Sequence, residues 1–123
     1  MAQYEHLPIY KQALTLSVYI EKVVQGFSRY HKYSNGSELR VLAKNNIKLI
    51  IRANSEIENR TFYLTELRVN NEELKVCLRI CKEMNAFKNL NSFVHAVELV
   101  ILLARQNEAW LKSKQKIINA PLP

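Results

Sequence analysis

The sequence predicts an all-α protein, an antiparallel up-down-up-down four-helix bundle that is oligomeric, and three observations carry that expectation. Between Gly36 and Pro121 the chain holds neither glycine nor proline, although the turns of a β-rich fold would need them. Apolar residues recur at alternating spacings of three and four, the period of one helical face. Polar breaks near residues 28–35, 55–59 and 85–89 leave four long segments, and short links favour antiparallel neighbours.

The first helix is predicted to start at Pro8, whose fixed φ and missing N–H suit the first helical position. Ile9, Ala13, Leu16, Ile20, Val23 and Phe27 form its seam, and Gly26 marks its end. The second runs from Ser34 or Gly36 to Asn54, with Leu39, Leu42, Ala43, Ile50 and Ala53 facing the core. A loop from Ser55 follows, with Asn59 as the expected N-cap of the third helix, Arg60 to Met84. Leu64, Leu67, Leu74, Leu78 and Cys81 make that helix's seam. The fourth spans Leu90 to Lys116 on Phe93, Val97, Val100, Ala104 and Leu111. Residues 1–116 thus read as one bundle domain and 117–123 as a tail.

Composition narrows the partner. Eighteen Lys and Arg against eleven Glu give a net charge of +7, which favours nucleic acid first and an acidic protein surface second. Met1 to Leu7 is polar and the longest apolar run, Leu99 to Ala104, is too short to span a bilayer, so a soluble cytoplasmic protein with no membrane partner is expected. Two cysteines give no disulfide framework.

The charge is organised. Arg40, Lys44, Lys48 and Arg52 recur every fourth residue, and with ~40° of advance per step they form a band opposite the core face of the second helix. No acid follows Glu38 within that segment. Arg68, Lys75, Arg79 and Lys82 cluster on one flank of the third helix, beside Glu72. In the link, Arg29-Tyr30-His31-Lys32-Tyr33 interleaves cations with rings, a combination that stacks on unpaired bases while holding phosphates. The alternatives are plain: solvated basic faces, and tyrosines that close the end of the bundle.

Apolar surface is in surplus. Phe62, Val69, Val76 and Ile80 lie about 180–220° from Leu67, and the fourth helix is apolar on nearly every side at Leu99, Ile101, Leu102 and Leu103. Either a neighbouring element covers these residues or copies of the chain do, in a cyclic homo-oligomer. Asn46, Asn71 and Asn107 occupy seam positions at one level of the bundle. They are expected either to form a mutually bonded polar layer that fixes register or to point to water.

Catalysis has no visible foothold. The chain contains no aspartate, its two isolated glycines cannot make a phosphate loop, and Glu72 and Glu73 diverge by ~100° on their helix. Cys77, Cys81 and His95 lack a fourth metal ligand, and buried cysteines are commoner than metal sites. No metal, cofactor or enzymatic activity is expected.

Short motifs in a fixed order carry a resemblance. Leu7-Pro8-Ile9-Tyr10-Lys11, Phe27 to Tyr33, Gly36-Ser37-Glu38-Leu39-Arg40 and Ile51-Arg52-Ala53-Asn54 fall in the first half. Glu73-Leu74-Lys75, Asn91-Ser92-Phe93 and Ala104 to Glu108 followed by Trp110 fall in the second. Over nearly its whole length the chain resembles the accessory variability determinant proteins of diversity-generating retroelements. These in turn look like a branch of the four-helix-bundle proteins encoded in intervening sequences of ribosomal RNA genes. The resemblance implies a non-enzymatic, basic homopentamer that binds a retroelement reverse transcriptase and its template RNA, or an RNA/DNA hybrid, and supports error-prone cDNA synthesis at adenines during mutagenic retrohoming. Carried over by position, Arg40, Lys44, Lys48 and Arg52 are the implied contacts to polymerase or RNA.

Overall fold

A computed structural model describes the backbone over residues 3–119 and the side chains over residues 3–113. Every described element is helical. A 3-10 turn, Gln3–His6, leads into α1 (Pro8–Gln25), with Pro8 in the first helical turn. The link that follows is not a plain loop, because Arg29–Lys32 forms a single helical turn, α2. Helix α3 (Asn35–Ser55), a 3-10 turn at Ile57–Asn59, α4 (Arg60–Glu83) and α5 (Leu90–Asn119) complete the chain. Helix α5 continues past the expected end at Lys116, since no breaker precedes Pro121; residues 120–123 of the expected tail lie outside the described residues.

The four long helices form a bundle. Helix α3 packs on α1 and α4, and α5 packs on α4 and α1, so α1 and α4 share one diagonal and α3 and α5 the other. Leu16, Ile20, Leu39, Ile50, Leu64, Leu67, Leu74, Leu78, Val100 and Leu103 are fully buried along the axis. Each such side chain is worth roughly 1.5–3 kcal/mol of burial, which makes the axis the main source of stability. At one end Phe87 packs edge-on against both Phe27 and Phe93, at 5.3 and 5.6 Å, and closes the core.

The helix ends use chemistry the sequence only partly signals. Asn85 adopts φ 59°, and the amides of Asn85 and Ala86 donate to the carbonyls of Lys82 and Cys81, stopping α4 with a left-handed cap. Asn89 accepts from the Ser92 amide at 2.9 Å and starts α5. Asn59 makes no such cap. At φ −103° and ψ 10° its backbone is not extended, and its amide donates to Glu56 instead. Arg60 next to it satisfies the end of α3, donating to the carbonyls of Ala53 (2.7 Å) and Asn54 (3.1 Å) while its guanidinium lies 5.3 Å from the Trp110 ring.

On α5 the seam differs from the one expected. Ala96, Leu99, Val100, Leu103, Asn107 and Leu111 are buried, whereas Phe93, Val97 and Ala104 are only partly covered. The segment from Leu99 to Ala104 is apolar all round, so its periodicity does not select one face; packing against α1 and α4 does.

Candidate nucleic-acid interface

Two basic surfaces were expected, on α3 and on α4, and their surroundings differ. Along α3 the core direction is set by Leu39, Ala43, Asn46, Ile50 and Ala53, all buried. The ~40° advance per step carries the basic band across the outer face, from the α1 flank at Arg40 to the α4 flank at Arg52. Arg40 donates to Glu21 of α1 at 2.9 Å and Lys44 stands 3.6 Å from the same carboxylate. The expectation of a band without acids therefore holds within α3 but not in three dimensions. Lys48 and Arg52 are exposed, and no carboxylate of the described residues lies within 4 Å of either. They line a groove with Asn45, Leu49, Glu66, Val69, Asn70 and Glu73, where the α4 acids face them at longer range.

The α4 cluster is largely paired in place. Arg68 makes a two-pronged contact to Glu108 of α5, at 2.6 and 2.9 Å. Lys75 meets Glu72 at 2.7 Å and Arg79 meets Glu83 at 2.9 Å. Lys82 lies 3.9 Å from Glu83 and 5.5 Å from the Phe93 ring. Hydrogen bonding from Arg68 holds the Glu108 carboxyl below its ordinary value, and Arg79, with Lys82 nearby, does the same for Glu83. These pairs are solvent-screened and add little stability, but they weaken the field of the cluster, leaving net positive charge only where Arg79 and Lys82 share Glu83.

Arg29 and Lys32 stand on α2, at the end closed by the phenylalanines. Lys88 approaches from the α4–α5 link, its side chain 3.6 Å from the position a Cβ would take at Gly26.

The structure divides the apolar residues. Phe62, Val69, Val76 and Ile80 are 44–60% exposed on the outer side of α4, and Leu102 is 46% exposed on α5. Leu99 does not belong with them: at 7% exposure it packs into the subunit's own core. A second outer face went unread in the sequence. Leu14 and Val18 of α1 are also exposed, beside Lys22 and His95. Their spacing of four on a helix with one obvious seam was the available signal.

Asn46, Asn71 and Asn107 are all buried, but they do not bond to one another. Asn46 Oδ1 instead accepts from Asn70 at 2.6 Å, and Asn70 also donates to the Leu42 carbonyl at 2.8 Å. Asn107 donates to the Leu64 carbonyl at 3.1 Å, and neither amide atom of Asn71 has a protein partner. The mutual layer is thus corrected to separate contacts across α3–α4 and α4–α5. Asn70 is the residue the sequence reading missed, although the doublets Asn45-Asn46 and Asn70-Asn71 displayed it.

Cys77 and Cys81 are buried, with Cys77 Sγ 3.7 Å from the Asn35 carbonyl. The adjoining Cys81 thiol and burial hold the Cys77 thiol well above its ordinary value. His95 lies elsewhere, edge-on to Tyr19 at 4.7 Å. Among the described residues no three potential ligands converge on a metal position, and no helix is long and apolar enough to cross a membrane.

Compared with known proteins, the chain matches no family model and no curated relative.

Proposed function

We propose that this protein is a non-enzymatic RNA-binding adaptor. In this reading it presents the α3 band to template RNA and to a retroelement reverse transcriptase, as the resemblance to accessory variability determinant proteins implies. The observation that carries the proposal is the exposed pair Lys48 and Arg52, with no carboxylate within ion-pair distance among the described residues. Arg40 and Lys44 extend it, because two cations sharing one Glu21 leave a net positive charge. Phosphates would replace the counterions of this strip, and binding would weaken steeply with salt.

The proposed architecture is an up-down-up-down antiparallel bundle. Supporting it, Cys77 meets Asn35, Asn70 meets Asn46 and Arg60 meets Ala53, so residues late in α4 reach residues early in α3. The protein is further proposed to be a homo-oligomer, the resemblance implying a pentamer. Two unlike outer faces support association. The α4 face carries Phe62, Val69, Val76 and Ile80 with Glu66 and Glu73, whereas the diagonal α1 face carries Leu14 and Val18 with Lys11 and Lys22. Such faces complement each other head to tail and would repel like against like, which suits a ring.

Co-purification tests the proposal. The wild-type chain should recover both the polymerase and its template RNA, and the double variant Lys48→Glu/Arg52→Glu should lose the RNA. Recovery of RNA without any polymerase would favour a stand-alone structured-RNA-binding bundle. Undiminished RNA recovery by the variant would remove the α3 surface.

A further inference from the structure

The end of the bundle carries a second surface of different chemistry. Tyrosines in a link ordinarily close a bundle, but here Phe27, Phe87 and Phe93 already do so. Tyr30 and Tyr33 are left 70% exposed. They stand one helical turn apart, three residues on α2 and its cap, so both rings project from one side of a short rigid element. The turn is locked. The amides of Lys32 and Tyr33 donate to Ser28 and Arg29, and the Ser34 hydroxyl donates to the Tyr30 carbonyl at 2.7 Å. Gly36 lets α3 start directly against it: a Cβ there would sit 2.8 Å from the His31 carbonyl and 2.9 Å from Val24 Cγ1.

No carboxylate of the described residues lies within 4 Å of Arg29, Lys32 or Lys88. Two exposed rings on a fixed turn, spaced among unpaired cations, match what an unpaired strand offers: flat bases and a regular line of phosphates. A duplex hides its base faces and leaves the rings nothing to stack on. An anionic membrane fits less well, because Arg29, His31, Lys32 and Ser34 between and beside the rings supply no aliphatic surface to bury in acyl chains.

We propose that Tyr30 and Tyr33, with Arg29, Lys32 and Lys88, form a stacking platform for single-stranded nucleic acid, separate from the α3 band. This rests on the nucleic-acid reading above and adds to it which form of the polymer each surface takes. Tyr30 and Tyr33 supply base contacts; the cations supply phosphate contacts.

The test uses the full chain, a single-stranded RNA of about 12 nucleotides, within the usual span of one such site, and a hairpin of equal phosphate number. Binding is read by fluorescence anisotropy across a salt series, and stacking by a 2-aminopurine placed in the single strand. The variant Tyr30→Ala/Tyr33→Ala, whose lost rings are exposed and should not unfold it, is expected to weaken the single strand at least tenfold and to abolish the 2-aminopurine quench. Hairpin affinity and both salt slopes should be unchanged, and Tyr30→Phe/Tyr33→Phe should bind as wild type. Equal loss of strand and hairpin, or no loss of either, overturns the platform. So does wild-type binding to phosphatidylserine vesicles that is lost in the alanine variant while strand binding persists. Lys48→Glu/Arg52→Glu run alongside keeps the two ideas apart: hairpin binding unaffected by that pair overturns the α3 reading, whatever the tyrosines do.

Discussion

Helices α3 and α4 each carry four outward basic residues, yet the charge they leave unpaired differs. On α4 the acids are built in: Glu72 and Glu83 stand within one turn of Lys75 and Arg79, and Glu108 reaches across from α5 to Arg68. Among the described residues, the only partner on α3 is Glu21, shared by Arg40 and Lys44, and Lys48 and Arg52 have none within ion-pair distance. Counting cations along a helix therefore does not locate a binding surface. The position of the carboxylates decides which cations stay unpaired, and half of those that matter come from another helix.

The contrast depends on α3 being held in one rotation about its axis, and the contact most able to break it is the buried amide pair. Replacing Asn70 by leucine should leave Asn46 Oδ1 without its donor, at roughly 1–3 kcal/mol, whereas the Leu42 carbonyl loses only its second bond and keeps its helical one from the Asn46 amide. Chemical denaturation would read the loss directly. Asn71→Leu is the opposite case. Neither atom of that amide has a protein partner, so leucine should stabilise the fold or leave it unchanged. A large destabilisation would show that Asn71 has a bonded role these contacts do not display.

Gly36→Ala acts at the start of the same helix. Its Cβ would meet the His31 carbonyl and Val24, and overpacking of this kind costs about 1–3 kcal/mol, partly offset by alanine's better helix propensity. A lowered melting temperature, with α2 displaced, is the expected outcome.

The smallest effects test the electrostatics themselves. Glu21→Gln should free Arg40 and Lys44 and strengthen RNA binding a few-fold at low salt. Glu108→Gln should free Arg68 on α4 with a lesser gain, because Glu72 and Glu83 still pair with Lys75 and Arg79 beside it. Acid reproduces the second change. The folded-state pKa of Glu108 and of Glu83 lies below the ordinary 4.5, so these pairs contribute above that value and their contribution is lost as pH falls through the depressed pKa. A pH titration of chemical denaturation should show stability falling only below about 4.5 from these two groups.

Much of the bundle was legible in the sequence because helical periodicity is a local property. The seams of α3 and α4 can be read from Leu39 to Ala53 and from Leu64 to Cys81, and the structure buries those residues. Where every side is apolar, as at Leu99 to Leu103, periodicity carries no direction, and Leu99, which reads with the surplus outer residues, packs inward. Ion pairs and amide contacts were the least legible. Glu21 lies 19 positions from Arg40 and Glu108 lies 40 from Arg68, so no pattern within one helix foretells them. The tyrosines were visible as a motif, but only the phenylalanine closure beneath them shows that they are not needed by the core.

One measurement bears most directly on the α3 surface: the salt dependence of hairpin RNA affinity for Lys48→Glu/Arg52→Glu against Arg79→Glu/Lys82→Glu. With roughly 0.7–0.9 of slope for each phosphate contact, the α3 pair should flatten the slope of log affinity against log salt by about 1.4 to 1.8. The α4 pair should leave it nearly as in the wild type. Equal flattening by both pairs, or a larger change from α4, would contradict the account.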